Sequence, residues 1–291
     1  MKRISLLTVA LLGCLFSGLA QSNSILWEIT GKKLEKPSYL YGTIHIQAED
    51  VFSFDPLVYN KLKSCDVLAV ELVMDEIDKT AVRDKMIMEE GSIKDYLTEE
   101  EYDLLDSVVK EKVGQPLFLF EKMKPFFLSS QIMQTSMPKE KPLALDMHLI
   151  ASARKMDMEV VPLEEFSDQI GAIDKISLQE QTDMLMDNIT DAETSMEEEF
   201  EKLVRAYVSQ DLDSLKIMMQ DTALPEAFAK ELLVRRNKGM AGEIHKIMKK
   251  KSVFAAFGAA HLVGEKGVIE LLRKKGYTLK PVPFDFDISK N

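Results

Sequence analysis

Two stretches of this 291-residue chain share one arrangement. Gly42-Thr43-Ile44-His45 and Gly258-Ala259-Ala260-His261 each set a histidine three residues past a glycine, where an apolar run gives out. The chain has four histidines, so half of them fall in this context. Imidazole titrates near neutrality and ligates borderline divalent ions. Two carboxylates are placed alike: Glu71 follows the run Val67–Val70, and Glu164 follows Val160–Leu163. A carboxylate at the end of a buried run is costly unless it is paired, hydrogen-bonded or bound to a metal. His45, Glu71, Glu164 and His261 therefore form a candidate ligand set for Zn, Mn or Co, with a position left for water. Such a centre could activate a bound water, with the uncoordinated glutamate as general base. Which glutamate coordinates and which acts as base is left open by spacing alone.

Other residues are weaker candidates. Arg236 could clamp a peptide carboxylate or stabilise an oxyanion, and a helix–helix salt bridge is an equal alternative. Asn237 beside it, and His148 near Asp146, are candidate substrate-binding groups. His245 lies among Lys246, Lys249, Lys250 and Lys251 and reads as exposed. Cys65 reads as a small core residue. No His-Glu-x-x-His, Gly-x-Ser-x-Gly, Walker loop or Gly-x-Gly-x-x-Gly occurs after a strand-like run, which removes the commonest hydrolase and nucleotide-binding signatures.

The elements that must carry these groups are legible as short apolar runs bounded by polar residues. Strands are predicted at 38–41, 67–70, 159–163 and 252–257, with weaker ones at 25–29 and 278–282. Thr98 and Glu101 form a capping box ahead of Tyr102, Leu105 and Val109, and Gly114 offers the stop. Helices are also expected at 146–155 and 267–275, and over a Met- and Glu-rich region from Ser177 to about Lys251. Its methionines, Met184, Met186, Met218 and Met219, read as core filler. The fold expected is α/β: a central mixed sheet from the N- and C-terminal thirds, capped by a largely helical middle over about 75–140 and 166–250. The glycines would let the backbone turn tightly or approach a ligand, and the histidines would project from the C-terminal edge of the sheet, where open α/β folds bind ligands.

Residues 1–20 read as a secretory signal: Lys2 and Arg3, an apolar run from Ile4 to Leu15, and small residues before Gln21. A lipoprotein-type anchor at Cys14 is the lesser alternative, because Leu15-Phe16 follows it. The expectation is an exported, periplasmic or secreted chain, residues 21–291 as one domain, with no stable membrane insertion after cleavage. With 48 acidic against 37 basic residues the net charge is −11, a field that disfavours nucleic acid and anionic lipid. Neutral or basic peptides are the better-suited partners.

These residues, in this order, resemble the TraB/GumN/Tiki family, part of a broader group with erythromycin esterases and ChaN-like proteins. The likeness spans about residues 25–285. It rests on Tyr39-Leu40-Tyr41-Gly42-Thr43-Ile44-His45, Leu68-Ala69-Val70-Glu71-Leu72, Leu145-Asp146-Met147-His148-Leu149 with Val161-Pro162-Leu163-Glu164 and Gln169, Arg236-Asn237, and Phe257-Gly258-Ala259-Ala260-His261-Leu262-Val263-Gly264 with Gly267. The resemblance implies a metal-dependent hydrolase, a metalloprotease acting on peptides or protein amino termini, with His45, His261 and Glu71 as active-site residues. ChaN-like relatives imply an alternative, a non-catalytic metal- or haem-binding protein. The chain departs from the family pattern at Leu163-Glu164-Glu165, where Leu-Glu-Thr is expected.

Overall fold

The computed structural model describes residues 24–190, 196–220 and 226–287. Residues 1–20, read above as a secretory signal, and with them Cys14, lie outside the described residues, as does the side chain of Met219. Six strands form one mixed sheet: β1 Leu26–Thr30, β2 Ser38–Thr43, β3 Val67–Val70, β4 Glu159–Pro162, β5 Val253–Gly258 and β6 Thr278–Pro281. All six match the apolar runs read from the sequence to within two residues at either end. Their spatial order is β4-β3-β5-β2-β1-β6. β4, β3, β5 and β2 are mutually parallel, while β1 runs antiparallel to both β2 and β6. Every residue of β2 and β3 is buried, and so is β5 up to its final glycine, as near-continuous apolar runs with both faces covered require.

The four parallel strands end at one edge. The β2–β5 register sets Gly42 opposite Phe257 and Thr43 opposite Gly258. Past β3 and β4 the backbone pairing continues, with Leu163 N–H donating to the Val70 carbonyl (2.7 Å) and Glu164 N–H to the Glu71 carbonyl (3.1 Å). The two glutamates thus leave the sheet side by side. Beyond β5, a short 3₁₀ turn, Ala259–His261, folds over the end of β2.

Helices surround this frame, and the capping signals hold. Thr98 and Glu101 cap each other reciprocally at the start of Glu99–Val113, which Gly114 ends in the left-handed region (φ 77°). Ser177 and Glu180 repeat the device before Leu178–Thr190. The Met-rich region resolves into four helices, Leu178–Thr190, Met196–Val208, Leu212–Gln220 and Glu226–Met248. Met186 is buried, and Met218 packs on the main core. Pro125–Ser136 and Leu178–Thr190 share a second apolar cluster, centred on Ile93, Leu105, Leu128 and Leu185. The helix Leu57–Lys63, between β2 and β3, lies outside the expected elements; it starts after Asp55-Pro56, where the Asp55 carboxylate accepts from Leu57 N–H.

Candidate functional site

The sheet order decides which groups can meet. Neighbouring strands lie about 4.8 Å apart, so the edge presents Glu164, Glu71, the β5 turn with His261, and His45, in that sequence. Glu164 and His45 are the outermost of the four, separated by the width of two intervening strands.

Glu71 and Glu164 share Arg236, which projects from the helix Glu226–Met248. Arg236 Nε donates to both Glu164 oxygens (3.1 and 3.0 Å), and Nη2 donates to Glu164 Oε2 (2.8 Å) and to Glu71 Oε2. Gln169 Nε2 adds a bond to Glu164 Oε2 (3.1 Å). The Glu164 side chain is only 4% exposed, and those of Glu71 and Arg236 are 12% and 15% exposed. Glu71 Oε1 also accepts from Gly258 N–H at 2.6 Å. Burial alone would raise the Glu71 pKa. The positive charge that His261, Arg236 and His45 can bring, together with the Gly258 bond, outweighs it and holds the carboxyl at about 2. Every hydrogen bond of Arg236 among the described residues uses Nε or Nη2, which leaves Nη1 over.

The two motif histidines are held differently. His261 is 3% exposed, and its Nδ1 lies 2.6 Å from Asn237 Oδ1. Burial, followed by the nearby Arg236 and His45 charges and opposed by Glu71, brings its pKa down to about 4, so the ring is neutral at neutral pH. His45 has a 62% exposed side chain, and its Nδ1 lies 3.1 Å from Asp146 Oδ2. Desolvation works against its charged form, but the bond and charge of Asp146, with Glu71 behind, push it up to about 9. Asp146 opens the helix Leu145–Arg154, where a carboxylate also suits the helix dipole. That ordinary explanation hid its partnership with His45 at the sequence level.

The remaining candidates have the following partners. His148, two residues along the same helix, bonds through Nε2 to the Tyr59 hydroxyl (2.6 Å) and stands edge-on to Phe52. Asn237 is buried, with Nδ2 donating to the Lys266 carbonyl (2.9 Å) and Oδ1 engaged by His261. His245 is half-buried and bonded to the Tyr277 hydroxyl (2.7 Å), so the expectation of simple exposure is corrected. Cys65 is a buried core residue, as read.

The glycines of the two motifs are explained by packing. Neither has positive φ. A Cβ on Gly42 would lie 2.8 Å from Leu262 Cδ1 and 2.9 Å from both Ala259 Cα and Cβ, because the second motif rests on the first. A Cβ on Gly258 would lie 3.3 Å from Glu71 Oε1 and 3.5 Å from His261 Cδ2. The turn Ala259–His261 is further locked by Gly267, where any Cβ would meet the Val263 carbonyl at 2.4 Å.

The donor chemistry fits a divalent ion of the Mn, Co or Zn kind. Each motif histidine has one ring nitrogen committed to an oxygen acceptor, the pattern of metal-binding imidazoles, and an ionised carboxylate lies near both. Two buried oxygens at this edge, Thr43 Oγ1 and Asp146 Oδ1, have no partner among the described residues. Among the described residues, however, no three His, Cys, Asp or Glu side chains are grouped closely enough to hold an ion.

The sequence profile of the TraB/PrgY/gumN family matches residues 25–281. Among characterised relatives, the chain is 22% identical over 318 residues to a protein of Danio rerio named Metalloprotease TIKI1, covering 90% of this chain and 63% of that one. It is 23% identical over 319 residues to Metalloprotease TIKI2 of Xenopus tropicalis (90% and 60% covered), and 20% identical over 331 residues to Metalloprotease TIKI1 of Homo sapiens (93% and 64%). The chain spans less than two thirds of the length of these relatives. No solved structure matches it.

Proposed function

Because the chain belongs to the TraB/PrgY/gumN family, we propose that it is an exported, metal-dependent hydrolase that cleaves peptides or protein amino termini. The observation that supports this reading is that His45, His261 and Glu71 all follow strands ending at one sheet edge, each anchored by a second group. The metalloprotease names of the relatives support the reaction class. No described helix is long and apolar enough to cross a membrane; export rests on the leader-like first twenty residues.

His45, His261 and Glu71 would hold the ion, with Mn, Co and Zn suited to that donor set. When bound, a divalent ion supplies Lewis acidity for a scissile carbonyl and for water. Glu71 is ionised at neutral pH, as either a ligand or a proton acceptor must be. Glu164, with both oxygens engaged by Arg236, serves chiefly to aim the guanidinium. Arg236 then offers Nη1 to the oxyanion that forms on the carbonyl oxygen. A neutral or basic peptide suits the acidic surface.

The test is digestion of a peptide library with Mn, Co or Zn present, on wild type, His261→Ala and Glu71→Gln. Amino-terminal trimming by wild type alone supports the proposal. Lost metal in Glu71→Gln marks Glu71 as ligand, and retained metal with lost cleavage marks it as base. Metal retention by wild type without cleavage under any ion would favour a carrier instead.

A further inference from the structure

We infer that Asn237 is a positioning residue: it fixes His261 as the Nδ1–H tautomer and so keeps the Nε2 lone pair free at the sheet edge. The inference deepens the proposed function, resting on that reading for the purpose of the ring but not for its tautomer.

The hydrogen-bond inventory allows one assignment. Asn237 Nδ2 donates to the Lys266 carbonyl at 2.9 Å, so the amide cannot be turned around without setting two oxygens against each other. The end facing His261 is therefore Oδ1, which only accepts. At 2.6 Å the proton between them must sit on His261 Nδ1. With that proton fixed on Nδ1, the neutral form of the ring has its lone pair on Nε2. Imidazole side chains in water favour the opposite form, with the proton on Nε2; the preference has to be imposed by the fold.

The choice of an amide follows from the surroundings. Glu71 and Glu164 already share the single guanidinium of Arg236. A third buried carboxylate at 237 would lack a cation, whereas an amide oxygen takes the imidazole proton without adding charge. His45 receives a carboxylate, Asp146, at the exposed side of the edge, where a charge is better solvated. Arg236 and Asn237 are consecutive on one helix, so a single turn of backbone aims both the guanidinium and the tautomer-setting amide.

Long-range ¹H–¹⁵N correlation spectra of the metal-free chain at pH 7, labelled at histidine, read this directly. Four histidines give a resolvable spectrum, and His261→Gln identifies the signal. Wild type should show His261 protonated at Nδ1 and unprotonated at Nε2. Asn237→Ala should lose that pattern, and Co²⁺ affinity by calorimetry should fall about 10–100-fold in Asn237→Ala. A proton on Nε2 in wild type overturns the inference, and so does an unchanged His261 pattern in Asn237→Ala. If Asn237→Ala does not fold, the wild-type spectrum decides. Failure to cleave any peptide would count against the hydrolase reading while the tautomer result stood.

Discussion

Replacing Gly42 by alanine tests the claim that the two histidine motifs are packed on each other. The added methyl would lie 2.8–2.9 Å from Leu262 Cδ1 and from Ala259 Cα and Cβ. Carbon atoms in contact prefer about 3.5–4.0 Å, so the overlap is about 0.6–1.2 Å against three atoms. Two of those belong to Ala259, which starts the 3₁₀ turn and cannot rotate away. β2 cannot retreat either, because Gly42 N–H is tied to the Ile25 carbonyl at 2.7 Å and the Tyr207 hydroxyl donates to the Gly42 carbonyl at 2.9 Å. Overpacking costs about 1–3 kcal/mol. With backbone atoms on both sides, the upper part of that range, about 2–3 kcal/mol, is expected. Urea unfolding followed by far-ultraviolet circular dichroism measures it. The control is Gly258→Ala, whose methyl would touch a carboxylate oxygen and an imidazole carbon at 3.3 and 3.5 Å, both on side chains. It should cost under about 1 kcal/mol and act on the site instead, by displacing Glu71. The packing argument is refuted if Gly42→Ala is within 0.5 kcal/mol, roughly the scatter of surface substitutions, of wild type, or if Gly258→Ala is the less stable of the two.

Arg236→Met should destabilise the chain by about 3–5 kcal/mol, since it strands two buried carboxylates; Arg236→Met combined with Glu164→Gln should recover part of that loss in the same urea assay. Asp66 clasps Ser252, accepting from its N–H (2.9 Å) and hydroxyl (2.7 Å), and these bonds, helped by Lys36, hold its carboxyl at about 2. A depressed folded-state pKa contributes stability above the unfolded value, near 3.8, that is lost as pH falls toward 2. Asp66→Asn should therefore be less stable than wild type at pH 7, by about 1 kcal/mol or less given its partial exposure, with the gap in urea midpoints closing between pH 4 and 2. Burial pushes the Cys65 thiol up to about 12, so in a Cys14→Ser background a thiol reagent at pH 8 should label the chain promptly only in denaturant, as followed by mass spectrometry.

The strands were easy to read because burial on both faces demands unbroken apolar runs such as Val67–Val70, which no amphipathic helix would carry. Residues that follow such runs inherit their position, so Glu71, Glu164 and the two Gly-x-x-His histidines could be placed at strand ends before any coordinates. Their order across the edge could not, because it depends on β5 lying between β3 and β2, a pairing set by packing between distant segments. Without that order, Glu164 looked like a companion of His45; it is the companion of Arg236. Asp146 and Asn237 were hidden for a different reason. Each sits in a helix, at a position where its residue type has an ordinary role, and only tertiary contact reveals what it accepts from.

β5 is the strand at the heart of the parallel sheet, yet it is made long after both of its partners, β2 and β3. Val253 meets Ser38 across a separation of 215 residues. Until that segment exists, the β1–β2 hairpin and the β3–β4 pair have nothing to join them, and the inner margins of β2 and β3 are unpaired apolar edges. Closure of so long a loop makes folding slow and late, with exposed edges that invite aggregation meanwhile. Under the proposed export, in which the chain crosses a membrane unfolded, the delay is an advantage: the sheet cannot lock before β5 has been made. A chain that stops upstream of Val253 lacks the keystone strand and His261 together.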